Sequence, residues 1–313
     1  MLYVIGMADS KPEKQKRHYE AESGRSFSRW LAVVFVVIFT VAVGVLDLTH
    51  DIIPGPEFVI LVFLIYATYV KKMWRFVKDW IPFLLIFVTY ETLNSVVGTV
   101  SKFNIHYGPY FFDVWLFGGH DPNLVLQTVL RTPFLNWMGA FFYTIYFYVP
   151  TVFAFVIWRE SRTDYWQYTM SLGVLMYSCL ATFLAYPVAP PWLNSDLTSH
   201  GLTRILSSSV DKSLGVPAYK TLYDFLGPNL YAAFPSLHAA LPWLVFLFSF
   251  KIGKWKALPV LILPVGTWFS AVYLGEHYVS DILGGIAYAT ISFLVVVKAL
   301  PIIMERRRSK SLH

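Results

Sequence analysis

Two short segments carry the residue types best suited to chemistry. The first, Tyr231-Ala-Ala-Phe-Pro-Ser-Leu-His-Ala-Ala240, opens a long apolar run. Pro235 suits a first helical turn, where its missing N–H costs nothing. The N–H groups around Ser236, Leu237 and His238 would then lack intrahelical partners and, with the helix dipole behind them, form a seat for an anion such as phosphate. Ser236 can donate one more hydrogen bond, and His238 can pass a proton to a group leaving that anion. The second segment is Gly275-Glu-His-Tyr-Val-Ser-Asp-Ile-Leu-Gly-Gly285. His277 and Asp281 stand at i and i+4, which predicts one helical face. A carboxylate accepting Nδ1–H would fix the imidazole tautomer and leave Nε2 as a lone-pair nucleophile. A single boundary histidine is more often structural, and His-x-x-x-Asp alone is a weak pattern. Two such segments at one membrane height are a sharper signal for attack of an imidazole on phosphorus.

Those segments sit in a chain of 313 residues that is 56% hydrophobic and 14% charged, with mean hydropathy +0.54. Soluble domains carry about 25% charged residues. Lipid must therefore be the main solvent, and no nucleic-acid partner is implied. The aromatic share of 18% suits interfacial belts as well as packing. The lone Cys179 lies in an apolar run and reads as a small core residue.

The expected fold is all-α, a polytopic transmembrane helix bundle. A span needs roughly 20 apolar residues, and about eight stretches qualify: Trp30–Leu48, Pro56–Met73, Trp80–Val100, Phe134–Trp158, Trp166–Tyr186, Phe234–Phe250, Ala257–Leu274 and Tyr278–Val297. All but five of the 25 Lys and Arg then fall on one side, the exceptions being Lys102, Arg131, Arg204, Lys212 and Lys220. The positive-inside rule makes that side cytoplasmic, with both termini on it. His50, His106, His120, His200, His238 and His277 fall at or beyond the opposite boundary. Two long connections, about 101–133 and 187–233, lie there too, and connections of that length usually carry function. Gly284 and Gly285 would let the last span pack closely against a neighbour. Arg306-Arg-Arg308 reads as a topological anchor.

Phe-Pro-Ser-Leu-His (234–238) and Gly-Glu-His-Tyr-Val-Ser-Asp (275–281) resemble the second and third signature motifs of the type 2 phosphatidic acid phosphatase superfamily. Tyr186-Pro-Val-Ala-Pro-Pro-Trp192 is similar to a stretch of the branch containing the inositol phosphorylceramide synthases. Leu116-Phe-Gly-Gly119, followed by Leu126-Gln127, is similar to bacterial and archaeal members of that branch. The resemblance implies four parts: a cytoplasmic tail over 1–29, an added transmembrane pair over 30–79, a six-helix catalytic core over 80–300, and a basic tail over 301–313. It also implies that His277 attacks phosphorus to form a phosphohistidine, that Asp281 orients it, and that His238 protonates the leaving alkoxide. Ser236 would hold a phosphoryl oxygen, and neither a metal nor another cofactor is required. The implied enzyme is an integral phosphotransferase or phosphatase of the cell membrane, most simply one moving an inositol-type phosphate head group between lipids. Release of inorganic phosphate from a lipid or polyprenyl phosphate is the alternative, and the pattern specifies no oligomeric state.

The departures from that pattern are electrostatic. The family's first motif offers a Lys and an Arg, whereas the corresponding region here, 186–192, has no basic residue. The third motif often begins Ser-Arg, and here it is Ser270-Ala271. Arg204 is the leading substitute cation, with Arg131, Lys212 and Lys220 behind it, and Trp192 belongs to the interface or the pocket wall. Fewer clamps suit a singly charged diester better than a dianionic monoester. Glu91, in mid-span, stands between a substrate role and a satisfied structural one. Asp113 and His106 read as solvated loop residues rather than an inositol pocket. A transporter or channel with a histidine relay, or a metal site on His238, His277 and Asp281, are the competing classes.

Overall fold

The computed structural model describes residues 56–101, 104–214, 229–299 and 301. The expected tails, 1–29 and 301–313, and the first expected span, Trp30–Leu48, lie outside those residues apart from position 301.

The described residues are helical, with no strand beyond isolated bridges. In chain order α1 is Pro56–Tyr69, α2 Met73–Ser101, α3 Gly108–Leu116, α4 Pro122–Leu130, α5 Pro133–Ile145, α6 Val149–Glu160 and α7 Arg162–Ala185. After a connection whose described part holds short helical elements come α8 (Leu237–Gly253), a 3₁₀ stretch (Lys254–Leu261), α9 (Ile262–Tyr273) and α10 (Val279–Leu294). Helix starts obey local chemistry. Asp121 accepts from Leu124 N (3.0 Å), Thr132 from Leu135 N (3.2 Å) and Ser161 from Asp164 N (3.2 Å). Pro122 and Pro133 follow the first two caps, where a missing N–H costs nothing.

Four helical runs, Met73–Val100, Arg162–Ala185, Leu237–Tyr273 and Val279–Ala299, are long and apolar enough to cross a membrane. The pair α5 and α6, bent by 47°, makes a fifth if it counts as one span. The count of eight is therefore not established. α1 has only 14 residues, short of the ~20 a span needs. The run Leu237–Tyr273, expected as two spans, doubles back on itself. Trp268 Nε1 donates to Ala239 O (3.2 Å), and the Trp243 and Trp268 rings lie 5.5 Å apart. Lys254, at φ 49°, marks the reversal.

One core cluster joins α2, α6, α7 and α8 through Trp80, Tyr165, Leu172, Cys179 and Phe248, all essentially inaccessible. Cys179 is thus the core residue expected of it. A second, smaller cluster packs α5, α9 and α10 through Tyr143, Tyr273 and Ile282. Outward faces of α2 and α5 remain apolar and exposed, as at Leu85, Val96, Phe134 and Phe141, which lipid rather than water would solvate. Glu91 is exposed on α2, with no hydrogen bond or ion pair among the described residues.

Candidate active site

Helix α8 begins two residues later than the proline suggested. Leu237 is its first residue, and Ser236 is the N-cap, its hydroxyl accepting from Ala239 N (3.3 Å). Pro235 lies before the cap, joined to Phe234 by a cis peptide bond. Ser236 is fully buried, and its N–H donates to Asp281 O (3.0 Å). The start of α8 is thereby stitched to the start of α10. A Cβ on Gly285 would stand 2.2 Å from Ser236 O, and one on Gly284 2.6 Å from the Phe234 ring. Both glycines therefore have the close-packing role their sequence suggested.

His277 and Asp281 do not share a helical face, because α10 starts only at Val279 and His277 belongs to the turn before it. The two groups meet by another route. Asp281 folds back over the helix start, its Oδ2 accepting from Tyr278 N (2.8 Å) while lying 3.4 Å from His277 Nδ1. His277 Nδ1 also lies 3.1 Å from Ala233 O. Facing two acceptors, Nδ1 carries the proton, so Nε2 presents its lone pair. That Nε2 is 2.9 Å from His238 Nδ1, and the ring centroids are 5.0 Å apart. The two expected imidazoles thus converge, with His277 only 5% exposed and Asp281 fully buried.

The bend between α5 and α6 supplies the other wall. Tyr143 stacks on His238 (centroids 4.1 Å, 15°), and Tyr146 leans against it (3.9 Å, 40°). The proline segment has a mechanical role. Val188 bridges both His106 and Ala232. Val188 N donates to Tyr231 O (2.8 Å), and Ala233 N to Val188 O (3.1 Å). It therefore fixes Ala233, whose carbonyl faces His277.

Arg204 and Trp192 are brought together, and Glu276, not singled out in the sequence, joins them. Glu276 accepts from Arg204 Nε (2.7 Å), Arg204 Nη2 (3.3 Å) and Trp192 Nε1 (3.2 Å). The guanidinium lies 4.3 Å over the Trp192 ring. Among the other candidate cations, Arg131 donates to Ser209 Oγ (3.1 Å) and Lys212 is exposed. Lys220 lies outside the described residues.

Asp113 is not a solvated loop residue, whereas His106 stays half-exposed in the connection between α2 and α3. His106 stacks on Tyr186 at 4.3 Å. Asp113 lies on α3, fully buried, and accepts from Val279 N (2.6 Å) and Ser280 N (2.9 Å). Burial pushes its carboxyl up to about 6, opposed by those hydrogen bonds. Its partners are long-range backbone donors, which only the fold reveals. Among the described residues no cluster of three or more His, Cys, Asp or Glu side chains is placed to hold a metal.

Comparison with known proteins supplies the frame for this geometry. The family model described as PAP2 superfamily matches residues 111–295. The chain is 25% identical over 234 residues to the phosphoinositol dihydroceramide synthase of Bacteroides thetaiotaomicron, covering 68% of this chain and 74% of that protein. It is 29% identical over 157 residues to the inositol phosphorylceramide synthase of Candida albicans, covering 45% of this chain and 31% of the relative. It is 30% identical over 137 residues to the catalytic subunit of the Saccharomyces cerevisiae enzyme, covering 40% and 31%. The chain thus spans about a third of the length of the two fungal proteins. No solved structure matches it. The family match covers more than half of the chain and takes in both histidine segments, so this integral membrane phosphotransferase or phosphoesterase belongs to the PAP2 superfamily.

Proposed function

We propose that the protein transfers an inositol-type phosphate head group between lipids through a phosphohistidine on His277. The observation that carries this reading is the 2.9 Å approach of His238 Nδ1 to His277 Nε2, with His277 Nδ1 turned toward Ala233 O and Asp281 Oδ2. In the first half-reaction Nε2 attacks phosphorus. A P–N bond forms, the P–O bond to the leaving lipid alkoxide breaks, and His238 gives that oxygen a proton. In the second, His238 takes the proton of an acceptor alcohol, whose oxygen displaces His277 from phosphorus. Asp281 keeps the His277 tautomer fixed and balances the positive charge that develops on the ring. The cycle draws on no metal or other cofactor.

The phosphate would sit against the first turn of α8, whose N–H groups Ser236 aims by capping the helix. Arg204 and Trp192, held on Glu276, form the adjoining wall of the turn that carries His277. An apolar groove of about 380 Å³ runs along α5, lined by residues such as Trp137, Phe141 and Tyr148. It lies on the helix that contributes Tyr143, and a lipid chain fits its character. The site is assigned to the extracytoplasmic face with both termini inside, on the distribution of Lys and Arg. The names of the relatives supply the inositol phosphate and ceramide-type lipid as first substrates to try.

Purified protein given phosphatidylinositol and a ceramide, with products read by mass spectrometry, tests the reading. A new inositol-phosphate diester lipid is expected, together with loss of turnover in His277→Ala. Release of inorganic phosphate alone would make the protein a phosphatase. Undiminished turnover in His277→Ala would end the covalent mechanism.

A further inference from the structure

Helices α3 and α4 belong to the outer connection between α2 and α5 and contribute no residue to the histidine pair. Their buried polar side chains nevertheless converge on one backbone segment, 272–280, with His277 inside it. Asp113 is fully buried and accepts from Val279 N and Ser280 N. Ser280 Oγ returns a bond to Pro109 O (3.2 Å), tying the two elements twice. Asn123, also fully buried, has its side-chain amide 2.9 Å from His277 O and 2.6 Å from Val272 O, and with its nitrogen turned toward them it donates to both carbonyls. Gln127, 5% exposed, donates to Tyr273 O (3.0 Å) and Thr203 O (2.9 Å) and accepts from Thr203 N (3.0 Å).

This segment needs outside support. Its middle, 274–278, is turn rather than helix and contains Gly275 with φ 81°, a conformation open to glycine at little cost. Its carbonyls at 273 and 277 and its N–H groups at 279 and 280 each meet a buried side chain, while the carbonyl at 272, which also accepts from Gly275 N (3.0 Å), gains a second partner in Asn123. Leaving such groups unpaired costs roughly 1–3 kcal/mol apiece. The three side chains thus define where the His277 backbone sits, while Asp281 and Ala233 define how its ring turns.

We propose that Asp113, Asn123 and Gln127 are positioning residues: α3 and α4 form a frame that holds the His277 turn at attacking distance from the phosphate. The inference rests on the reading of His277 as nucleophile. A misplacement near 1 Å can cost about 100-fold in rate, so loss of frame bonds falls on the chemical step rather than on lipid binding.

The test uses the full-length detergent-solubilised protein with three readouts: kcat and KM for head-group transfer, Tm, and ¹⁵N signals of its labelled histidine rings. Asn123→Ala is expected to lower kcat at least tenfold with KM within about twofold, and to move the His277 ring signals. Gln127→Ala is expected to act in the same sense but less, and carries the test alone if Asn123→Ala does not fold. Tyr165→Phe is the control. It removes a buried bond to Asp79 O (2.9 Å) far from the turn, so Tm should fall while kcat and the His277 signals stay. The frame is refuted if Asn123→Ala and Gln127→Ala behave like that control. The nucleophile reading fails separately, by activity surviving in His277→Ala, whatever the frame variants do.

Discussion

Two buried carboxylates stand at opposite ends of the bundle, and they are treated in contrary ways. Asp79, near the start of α2, is saturated. Its Oδ2 accepts from Trp158 Nε1 (3.0 Å), its Oδ1 from Arg162 Nη2 (3.1 Å), and Arg75 Nε lies 3.5 Å away. Asp281, at the start of α10, has the imidazole of His277 as its ion-pair partner among the described residues, and its Oδ1 has no hydrogen-bond partner. Helix α7 alone, with 24 residues, separates the two regions by about 36 Å. A carboxylate whose charge is fully answered by arginines and an indole contributes architecture. A buried carboxylate answered by one titratable ring keeps its electrostatic influence for whatever that ring does next.

The comparison breaks first where the effect is largest. Asp281→Asn should lower turnover by orders of magnitude while leaving Tm nearly unchanged, because tautomer control of His277 is lost while the packing stays. Asp79→Asn should do the reverse, lowering Tm and leaving turnover per folded molecule intact. Steady-state assays paired with thermal melts read both quantities, and matched losses in the two variants would dissolve the distinction. Next comes Gly285→Ala. Its Cβ would fall 2.2 Å from Ser236 O, so α8 and α10 must separate and carry His238 away from His277. Activity should fall at least 100-fold, with a lowered Tm, on the same assays.

A third test concerns Asp113, which lies between these extremes, buried yet bonded to neutral donors of Val279 and Ser280 rather than to a cation. Its carboxyl, pushed up to about 6 by burial, binds its proton more tightly folded than unfolded. Its contribution to stability is therefore fully present below the ordinary carboxylate value near 4 and is lost as pH rises through 6. Relative to Asp113→Asn, which cannot titrate, the wild type should gain on the order of 3 kcal/mol between pH 7 and pH 4. Thermal melts across that range check it, and a constant difference would refute it.

How much of this was legible in the sequence follows from the range of the forces involved. The all-helical membrane character was readable because apolar runs and charge asymmetry are local and additive. The convergence of His238 and His277 was readable because both stand at helix starts on one side. The path between His277 and Asp281 was not, since i, i+4 spacing assumes a helix that begins two residues too late to include His277. Arg204 and Trp192 were placed near the site, but their mutual partner Glu276 is long-range and has no periodic signature. Asp113 looked solvated for the same reason. Its backbone donors lie 166 and 167 residues away. The reversal inside Leu237–Tyr273 was legible from Lys251, Lys254 and Lys256, which lipid would not solvate. The bend at Tyr146 was not, although it is what brings two tyrosines against His238.

The smallest effect sharpens the contrast most cleanly, because it removes one hydrogen bond and little else. Trp158→Phe keeps an aromatic ring among Phe76, Phe155 and Arg75 while deleting the Nε1 donor to Asp79. The remaining partners of Asp79, Arg162 and Arg75, are long side chains that can shift toward the vacated oxygen. The loss should therefore stay near the net worth of one hydrogen bond to a charged group, about 1.5–3 kcal/mol, and appear wholly in Tm. At the other end, among the described residues, His277 Nδ1 faces just Asp281 Oδ2 and Ala233 O. If Trp158→Phe changed kcat as well as Tm, strain would be travelling the length of α6 to Tyr146 and His238, and the two ends would form one mechanical unit rather than two.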